Sequence, residues 1–544
     1  MMEEPTGKKG LSSRTRTLAR VCIGLLLLAA LVFAPPLFNV SRLQRHIAAS
    51  ISTSLGRPVR MDKVSLHLLP VPGFRLENLV VSEDPAFGSE PTIRAGKVEV
   101  TLRPSSLWRR QVELSSIKFE VDDNGSAPNL NLVRNAQGRW NIEGLLMHAA
   151  QVDIAPTAQR RPGPEPRFPY IEATGGRINV KIGEEKLPFA LTEADFALWL
   201  PESQEWRVRL EARPVRTDTN VSETGVLRLE GSLGRAASIA EIPVDLSASW
   251  HNAPLGEVSK VITGSDKDWR GTLMAEASLL GRLGDAELKT SLNFNDLRRA
   301  DFVPEKTLDV HVECSGMVNV TTAVVLSPQC SVPVSTTLPV SQVSATSDRI
   351  DLSAPRNTRI QIGSPGVSED WLLDWARLFS EHLPPCASCG TLTVQGSVVY
   401  LGGPDGGRWQ GRVEGTMPSA FDRTNPDSGR LGFVITGAGD EFLIEPVDLV
   451  PAGKPPLTLS GTLDKNGYTL ALIGTATEAQ TRSLEIAMPP LGEGLDKLLP
   501  DLFRDATKPA RVNILCSRKW SANSDSKETC TTIPTELPPA KPRR

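Results

Sequence analysis

The sequence of 544 residues lacks the short motifs that mark common enzymes and nucleotide-binding proteins. It contains no Gly-rich phosphate loop, no HExxH and no GxSxG. Its six histidines are scattered singly, so they predict neither a catalytic group nor a zinc site: His46, His67, His148, His251, His311 and His382. We therefore expect a protein that is not an enzyme, with no catalytic residue, no cofactor and no metal.

Tyrosine is also scarce, and the net charge is small. Only three Tyr are present, so aromatic platforms for stacking bases or sugars are few. The net charge is −3, which gives no electrostatic reason to expect a nucleic-acid partner. Because single cores stop growing at roughly 250–300 residues, a chain of this length predicts several domains or an elongated architecture.

Residues 21–40 are mostly apolar and carry no charge, and this stretch is long enough for a helix that crosses a bilayer. Basic residues precede it, at Lys8, Lys9, Arg14, Arg16 and Arg20, and this bias predicts residues 1–20 in the cytoplasm and the bulk of the chain outside. A cleaved signal peptide is the alternative, since the densest apolar part is residues 21–34. A small-x-small cleavage site is lacking, because Pro35 and Pro36 follow Ala34 and the bulky Val32 stands at the −3 position of that site. We favour a single-pass anchor.

After the anchor, the pattern predicts one helix and then many strands. Leu43, Ile47, Ile51 and Leu55 recur every four residues, which predicts an amphipathic helix over 41–55. That helix either covers the end of a sheet or lies on the membrane surface. From Val59 the apolar period changes to two, which indicates an antiparallel sheet with one apolar face.

Breaks in the pattern divide the rest of the chain. Residues 41–150 form the first β-rich domain, and 151–168, with four prolines, form a linker or exposed loop. Strands resume over 169–365, with a short helix from Pro254 to Ile262. A second helix is expected within 366–383, where Ser368 to His382 carry a cap and an apolar face. Residues 384–520 are again β-rich, and 521–544 are expected to be a polar tail.

Six cysteines lie beyond the anchor, in three near-neighbour pairs. An even number suits an oxidising compartment. Cys314–Cys330 and Cys516–Cys530 each close a loop of about fifteen residues, which suits a disulfide between neighbouring strands. Cys386 and Cys389 form a CxxC that is structural or incidental, a redox motif, or half of a metal site, although no second pair completes four ligands.

Several segments together resemble the N-terminal part of the AsmA-like proteins of Gram-negative envelopes. The resemblance covers 21–145 well and rests on the order and spacing of five stretches: Leu55–Val59 (LGRPV), Val64–Pro70 (VSLHLLP), Pro72–Leu79 (PGFRLENL), Arg94–Leu102 (RAGKVEVTL), and Asn129–Asn135 (NLNLVRN) with Gly138–Asn141 (GRWN). The family is similar to TamB-like and bridge-like lipid-transfer proteins.

This resemblance implies a mainly β protein, anchored in the inner membrane by one N-terminal helix, with its bulk in the periplasm. It implies an elongated, twisted antiparallel sheet whose apolar groove carries phospholipid acyl chains between the inner and outer membranes. The alternation of side chains predicts the groove lining: Val98, Val100, Phe196, Leu198, Leu200, Val208 and Leu210. The alternative function is an envelope assembly factor that contacts outer-membrane proteins through its strand edges.

Overall fold

The computed structural model describes residues 44–533 with gaps. The longer gaps cover 104–113, 143–168, 334–341, 353–357, 379–389, 402–407, 419–429 and 520–528, and the others are of one to four residues. The described residues contain 26 strands and few helices. The prediction of a mainly β protein with many strands is therefore confirmed.

The chain divides into two compact units, each described here by itself. Unit 1 comprises 1–218 and 227–242, and unit 2 comprises 219–226 and 243–544.

Unit 1 contains ten strands. Their bounds are β1 Val59–Arg60, β2 Lys63–His67, β3 Gly73–Val81, β4 Ile93–Leu102, β5 Leu114–Glu120, β6 Asn129–Arg134, β7 Tyr170–Ile182, β8 Glu185–Glu202, β9 Glu205–Arg216 and β10 Val226–Gly234. A short 3-10 helix, Ile239–Glu241, follows. β1 and β2 both pair with β3, and β3 pairs with β4. β7 to β10 then pair in chain order.

The expectation of a purely antiparallel sheet is wrong at β7. Its first half pairs parallel with β5, and its second half pairs parallel with β6. Parallel neighbours need a long connection between them. Residues 135–169 supply that length between β6 and β7, whereas the other connections in unit 1 are too short for a crossover.

The core of unit 1 lies on one face of β1–β4. Its buried members include Val64, Leu76, Val81 and Val98, and Ala48 and Ile51 pack against them. Within the predicted helix 41–55, the described positions 44–45, 48–49 and 51–52 are helical. The helix thus covers the sheet, as one of the two interpretations predicted.

Unit 2 contains the other sixteen strands. Their bounds are β11 Pro243–Pro254, β12 Trp269–Arg282, β13 Asp285–Arg299, β14 Leu308–Asn319, β15 Val324–Pro333, β16 Gln342–Thr346, β17 Arg349–Asp351, β18 Thr358–Ser368, β19 Thr391–Leu401, β20 Arg408–Pro418, β21 Arg430–Gly439, β22 Glu441–Val450, β23 Leu457–Asp464, β24 Gly467–Ala476, β25 Ala510–Lys519 and β26 Thr529–Thr532. All their recorded pairings are antiparallel, and nearly all join strands that are adjacent along the chain. β16 and β17 share β15 as a neighbour, and β16 continues to β18.

Two helices of unit 2 lie where the sequence predicts them. α1 is Leu255–Thr263 and ends at Gly264, whose left-handed φ of 82° is the usual helix stop. α2 is Glu369–Arg377. Leu255 and Val258 of α1, together with Trp375 and Leu378, pack on the ends of β11–β14. Each of β11, β12 and β13 carries a bulge near this end, which bends the strands beneath the helices.

Three further helices were not predicted, because residues 384–520 were expected to be β-rich throughout. They are α3 Glu478–Ala487, α4 Gly492–Leu495 and α5 Leu499–Leu502. These helices pack on the sheet through three buried leucines, Leu484, Leu495 and Leu499. Their partners on the strands include Leu457, Leu472 and Ile514. The missed signal was a capping box, since Thr477 and Gln480 exchange side-chain hydrogen bonds with each other's backbone N–H at 3.3 Å and 2.9 Å.

Several predicted segments lie outside the described residues, namely 1–20, the anchor 21–40 and the linker 151–168. None of the helices in the described part of the chain has the length and apolar character needed to span a membrane. The predicted tail 521–544 is partly structured, because β26 lies within it and pairs with β25.

Candidate functional site: an apolar face and its polar reverse

One line of cross-strand neighbours runs through unit 2 without a charged residue. We call it the apolar row. Its fifteen members, one per strand, are Ala248, Ala277, Thr290, Cys314, Cys330, Ala345, Ile362, Gly396, Val413, Ile435, Ile444, Gly461, Leu470, Cys516 and Cys530. Because side chains alternate along each strand, these residues share one face of the sheet.

Helices cover the apolar row at one end, and the rest of the row is more accessible. At β22–β25 helices α3–α5 pack over this face, and Cys516 there is only 2% exposed. Over β11–β13 the side chains on the same face, such as Leu246, Leu279 and Leu288, are half-buried and belong to none of the core clusters of the described residues. A half-buried apolar surface that no described helix covers can accept an apolar ligand.

The opposite face is far more exposed and more polar. Along β12, exposed Glu276, Ser278 and Leu280 alternate with half-buried Ala275, Ala277 and Leu279. The next cross-strand line on this face, which we call the hydroxyl row, contains ten Ser or Thr among fifteen residues. Its members are Ser247, Ser278, Lys289, Ser315, Gln329, Thr346, Gln361, Ser397, Arg412, Thr436, Leu443, Thr462, Thr469, Ser517 and Thr529.

In unit 1, most of the predicted lining residues come together. Phe196 pairs with Leu210, and Leu198 pairs with Val208. Ile171 and Leu229 extend these two lines onto β7 and β10. Leu200 follows on the same face of β8, and all of these side chains are half-buried. Arg207 and Arg209, on the other face of β9, are exposed.

Val98 and Val100 lie in a different setting. They are 0% and 6% exposed, within the closed core that helix residues Ala48 and Ile51 cover. The structure therefore does not bring them together with the five half-buried lining residues, and we leave them out of the surface considered below.

Both predicted disulfides are present. Cys314 pairs with Cys330 across β14 and β15, and Cys516 pairs with Cys530 across β25 and β26. All four residues belong to the apolar row, so both bridges lie on the apolar face. Cys386 and Cys389 lie outside the described residues. Within the described residues, no group of three or more His, Cys, Asp or Glu is placed to hold a metal ion.

A buried polar network joins distant parts of unit 1. Arg57 pairs with Glu83, donates to the Thr92 hydroxyl at 3.0 Å and donates to the Asn141 carbonyl oxygen at 2.6 Å. The Asn141 amide donates to Glu83 and to the Asn131 carbonyl oxygen at 2.8 Å. Each polar group in this network has a partner, which suits a structural rather than a catalytic role.

Three residues of this network occur in the sequence stretches that carried the resemblance: Arg57 in Leu55–Val59, Asn131 in Asn129–Asn135, and Asn141 in Gly138–Asn141. Residues 12–183 match the family model described as AsmA family. This part of the chain is AsmA-like. The match ends at residue 183, just after β7, so the AsmA-like segment includes the core and the polar network of unit 1 but none of unit 2. No curated protein and no solved structure matches the chain.

Among the described residues, the carboxyl groups of Glu90 and Glu257 have shifted pKa values, and the groups that shift them have structural roles. A hydrogen bond from Lys181 lowers the pKa of Glu90 below its ordinary value, although burial opposes the shift. Burial of Glu257 would raise its pKa, but hydrogen bonds from Lys260 and from the Ser222 backbone N–H outweigh burial and lower it. The partners that shift these two groups are lysines and Ser222, with no histidine among them, so neither group indicates acid–base chemistry.

Proposed function

We propose that this protein carries phospholipid acyl chains on the half-buried apolar surfaces of its two units, between the inner and outer membranes of a Gram-negative envelope. The observation that carries the proposal is the uncharged, half-buried apolar face over β8–β9 and over β11–β13. The AsmA-like character of residues 12–183 supports a role at the envelope. In this proposal residues 21–40 anchor the chain in the inner membrane with its bulk in the periplasm.

Acyl chains fit such a face for a simple physical reason. Burying apolar surface is favourable by about 25 cal/mol per Å². Because this interaction is non-directional, it does not fix where along the surface an acyl chain lies. Thr290 is the one side chain of the apolar row with a hydroxyl group. An acyl chain can therefore move along the row without breaking hydrogen bonds. The protein has no need of a cofactor or catalytic residue for this role.

Envelope assembly by strand addition remains the alternative function, and one observation speaks against it. The last strand of unit 2, β26, is only four residues long and is joined to its neighbour by Cys516–Cys530. A short edge strand held by a disulfide offers few free backbone groups to an incoming strand.

Photo-crosslinking tests the lipid proposal in the full chain. A photoreactive residue at Leu279 faces the apolar side, and one at Ser278 faces the exposed side of the same strand. In unit 1, Leu210 and Arg209 form the equivalent pair on β9. Ala197, next to Leu198, is a poor control because it is only 3% exposed.

We expect phospholipid adducts from positions 279 and 210 and none from 278 and 209. Equal labelling from both faces, or labelling from neither in protein that unfolds cooperatively, would reject the proposal. Adducts to outer-membrane proteins instead of lipid would favour the assembly function.

A further inference from the structure

The polar face of unit 2 contains an open concavity of ≈ 1280 Å³, away from the apolar face to which the proposed function belongs. Four consecutive members of the hydroxyl row line it: Thr346, Gln361, Ser397 and Arg412. Two members of the apolar row, Ile362 and Gly396, also belong to its lining, but most of the lining residues lie on the polar face. The concavity therefore opens on the side of the hydroxyl row, and Ile362, Val394 and Phe433 border it.

The groups that line this concavity are mostly neutral hydrogen-bonding groups. A second cross-strand line, parallel to the hydroxyl row, adds Ser344, Gln395 and Glu414. Thr393 and Thr416 add two hydroxyls that bond to each other at 2.9 Å. By contrast, the same face of β12–β14 carries Glu276, Glu287, Lys289 and Glu313. The concavity thus differs in chemistry from the polar face around it.

Several of these groups can still form an ion pair or hydrogen bonds with a ligand. Within the described residues, no ion pair involves Arg359 or Glu414, and Gln361 and Gln395 are exposed. Arg412 is paired with Glu445 at 2.8 Å, which leaves the lining near neutrality. A lining without net positive charge does not favour nucleic acid.

The spacing of the groups points to an extended ligand. Neighbouring strands lie about 4.8 Å apart, so within the concavity the hydroxyl row presents one donor or acceptor at each such step across four strands, β16 and β18–β20. This step is close to the length of one sugar ring in an extended glycan. Glycan hydroxyls both donate and accept hydrogen bonds, as do the amides and hydroxyls of the lining.

We propose that the concavity binds an extended, uncharged or weakly acidic glycan strand that lies across β16 and β18–β21. Gln361, Ser397 and Gln395 bond the sugar hydroxyls, and Arg359 meets a carboxylate where the glycan has one. Binding rests on hydrogen bonds rather than on stacking, since the aromatic residue of the lining, Phe433, pairs with Gly415 on the side of the apolar row. The site holds a polar polymer on one face while the other face of the sheet remains free.

The test uses the full chain and three end-labelled probes: chitohexaose, maltohexaose and a hyaluronan hexasaccharide. Fluorescence anisotropy should show saturable binding of at least one probe. Gln361→Ala with Ser397→Ala should weaken that binding at least tenfold. The matched control, Ser247→Ala with Ser278→Ala, lies in the same row but outside the concavity and should change it less than twofold.

Three results would overturn the proposal. They are the absence of saturable binding by all three probes, an equal loss in both double variants, and equal binding of an uncharged six-residue Ser/Gly peptide, which would indicate a peptide site. Thermal unfolding verifies that each variant is folded. Leu279→Asp separates this proposal from the lipid proposal, because it should remove lipid from the apolar face of unit 2 and leave glycan binding unchanged.

Discussion

Arg57 donates a hydrogen bond of 2.6 Å to the backbone carbonyl oxygen of Asn141, 84 positions further along the chain. The contact joins the segment that follows the helix within residues 41–55 to the segment that follows β6. It also keeps Glu83, whose side chain is 1% exposed, next to a positive charge.

Arg57→Met should therefore destabilise unit 1 strongly. It leaves the Glu83 carboxylate buried and unpaired, which costs about 3–5 kcal/mol. Urea unfolding followed by circular dichroism measures the loss. Arg75→Met is the matched control, because Arg75 forms an exposed ion pair with Glu99 at 2.8 Å and such pairs contribute at most about 1 kcal/mol. Equal losses in the two variants would contradict the structural role of the network.

The stability of unit 2 should fall in acid partly through Glu257. Its folded pKa lies below the ordinary 4.5, so its contribution is complete above that value and is lost as the pH falls through the folded pKa. Thermal melts between pH 6 and pH 3 should show a shallower acid decline for Glu257→Gln than for the native chain. Parallel declines would show that the contacts of Glu257 with Lys260 and Ser222 contribute nothing.

The two disulfides should differ in how fast they are reduced. Cys314 and Cys330 are half-buried on the apolar face, whereas Cys516 is buried and Cys530 lies against Gly494 of α4. Because thiol–disulfide exchange needs access to sulfur, a small reductant should open Cys314–Cys330 first. Timed alkylation with peptide mass spectrometry gives the order. Earlier labelling of Cys516 and Cys530 would mean that α3–α5 do not shield that bridge.

The capping box at α3 gives a local prediction. Thr477→Ala removes the side-chain hydrogen bond to the Gln480 N–H, and we expect a loss of about 1 kcal/mol in the free energy of unfolding. Thr462→Ala is a control on the hydroxyl row that no cap involves, and its effect should be smaller. Differential scanning calorimetry of both variants measures the difference.

Alternation of apolar residues was sufficient to predict most strands, since a strand with one buried face imposes a period of two. It placed Phe196 and Leu198 on one face, and the spacing of the cysteines predicted both bridges. It did not predict which partner β7 takes, because parallel pairing with β5 and β6 depends on contacts far apart in sequence. It also did not separate Val98 from Leu198, since a closed core and an open face show the same period.

The hydroxyl row could not be found from sequence alone. Its members share no local motif and become neighbours only through the register of fifteen strands. Ser and Thr at alternate positions of a strand are typical of any solvated face. Only the register shows that the amides of Gln361 and Gln395 lie on adjacent lines of the same concavity.

The order of strands in unit 2 has an evolutionary consequence. From β18 to β25 each strand pairs with the next along the chain. Loss or duplication of two consecutive strands, such as β20 and β21, preserves the direction of every remaining strand and the face that each side chain occupies. The sheet can therefore change length in steps of roughly 10 Å while its apolar and polar faces stay intact.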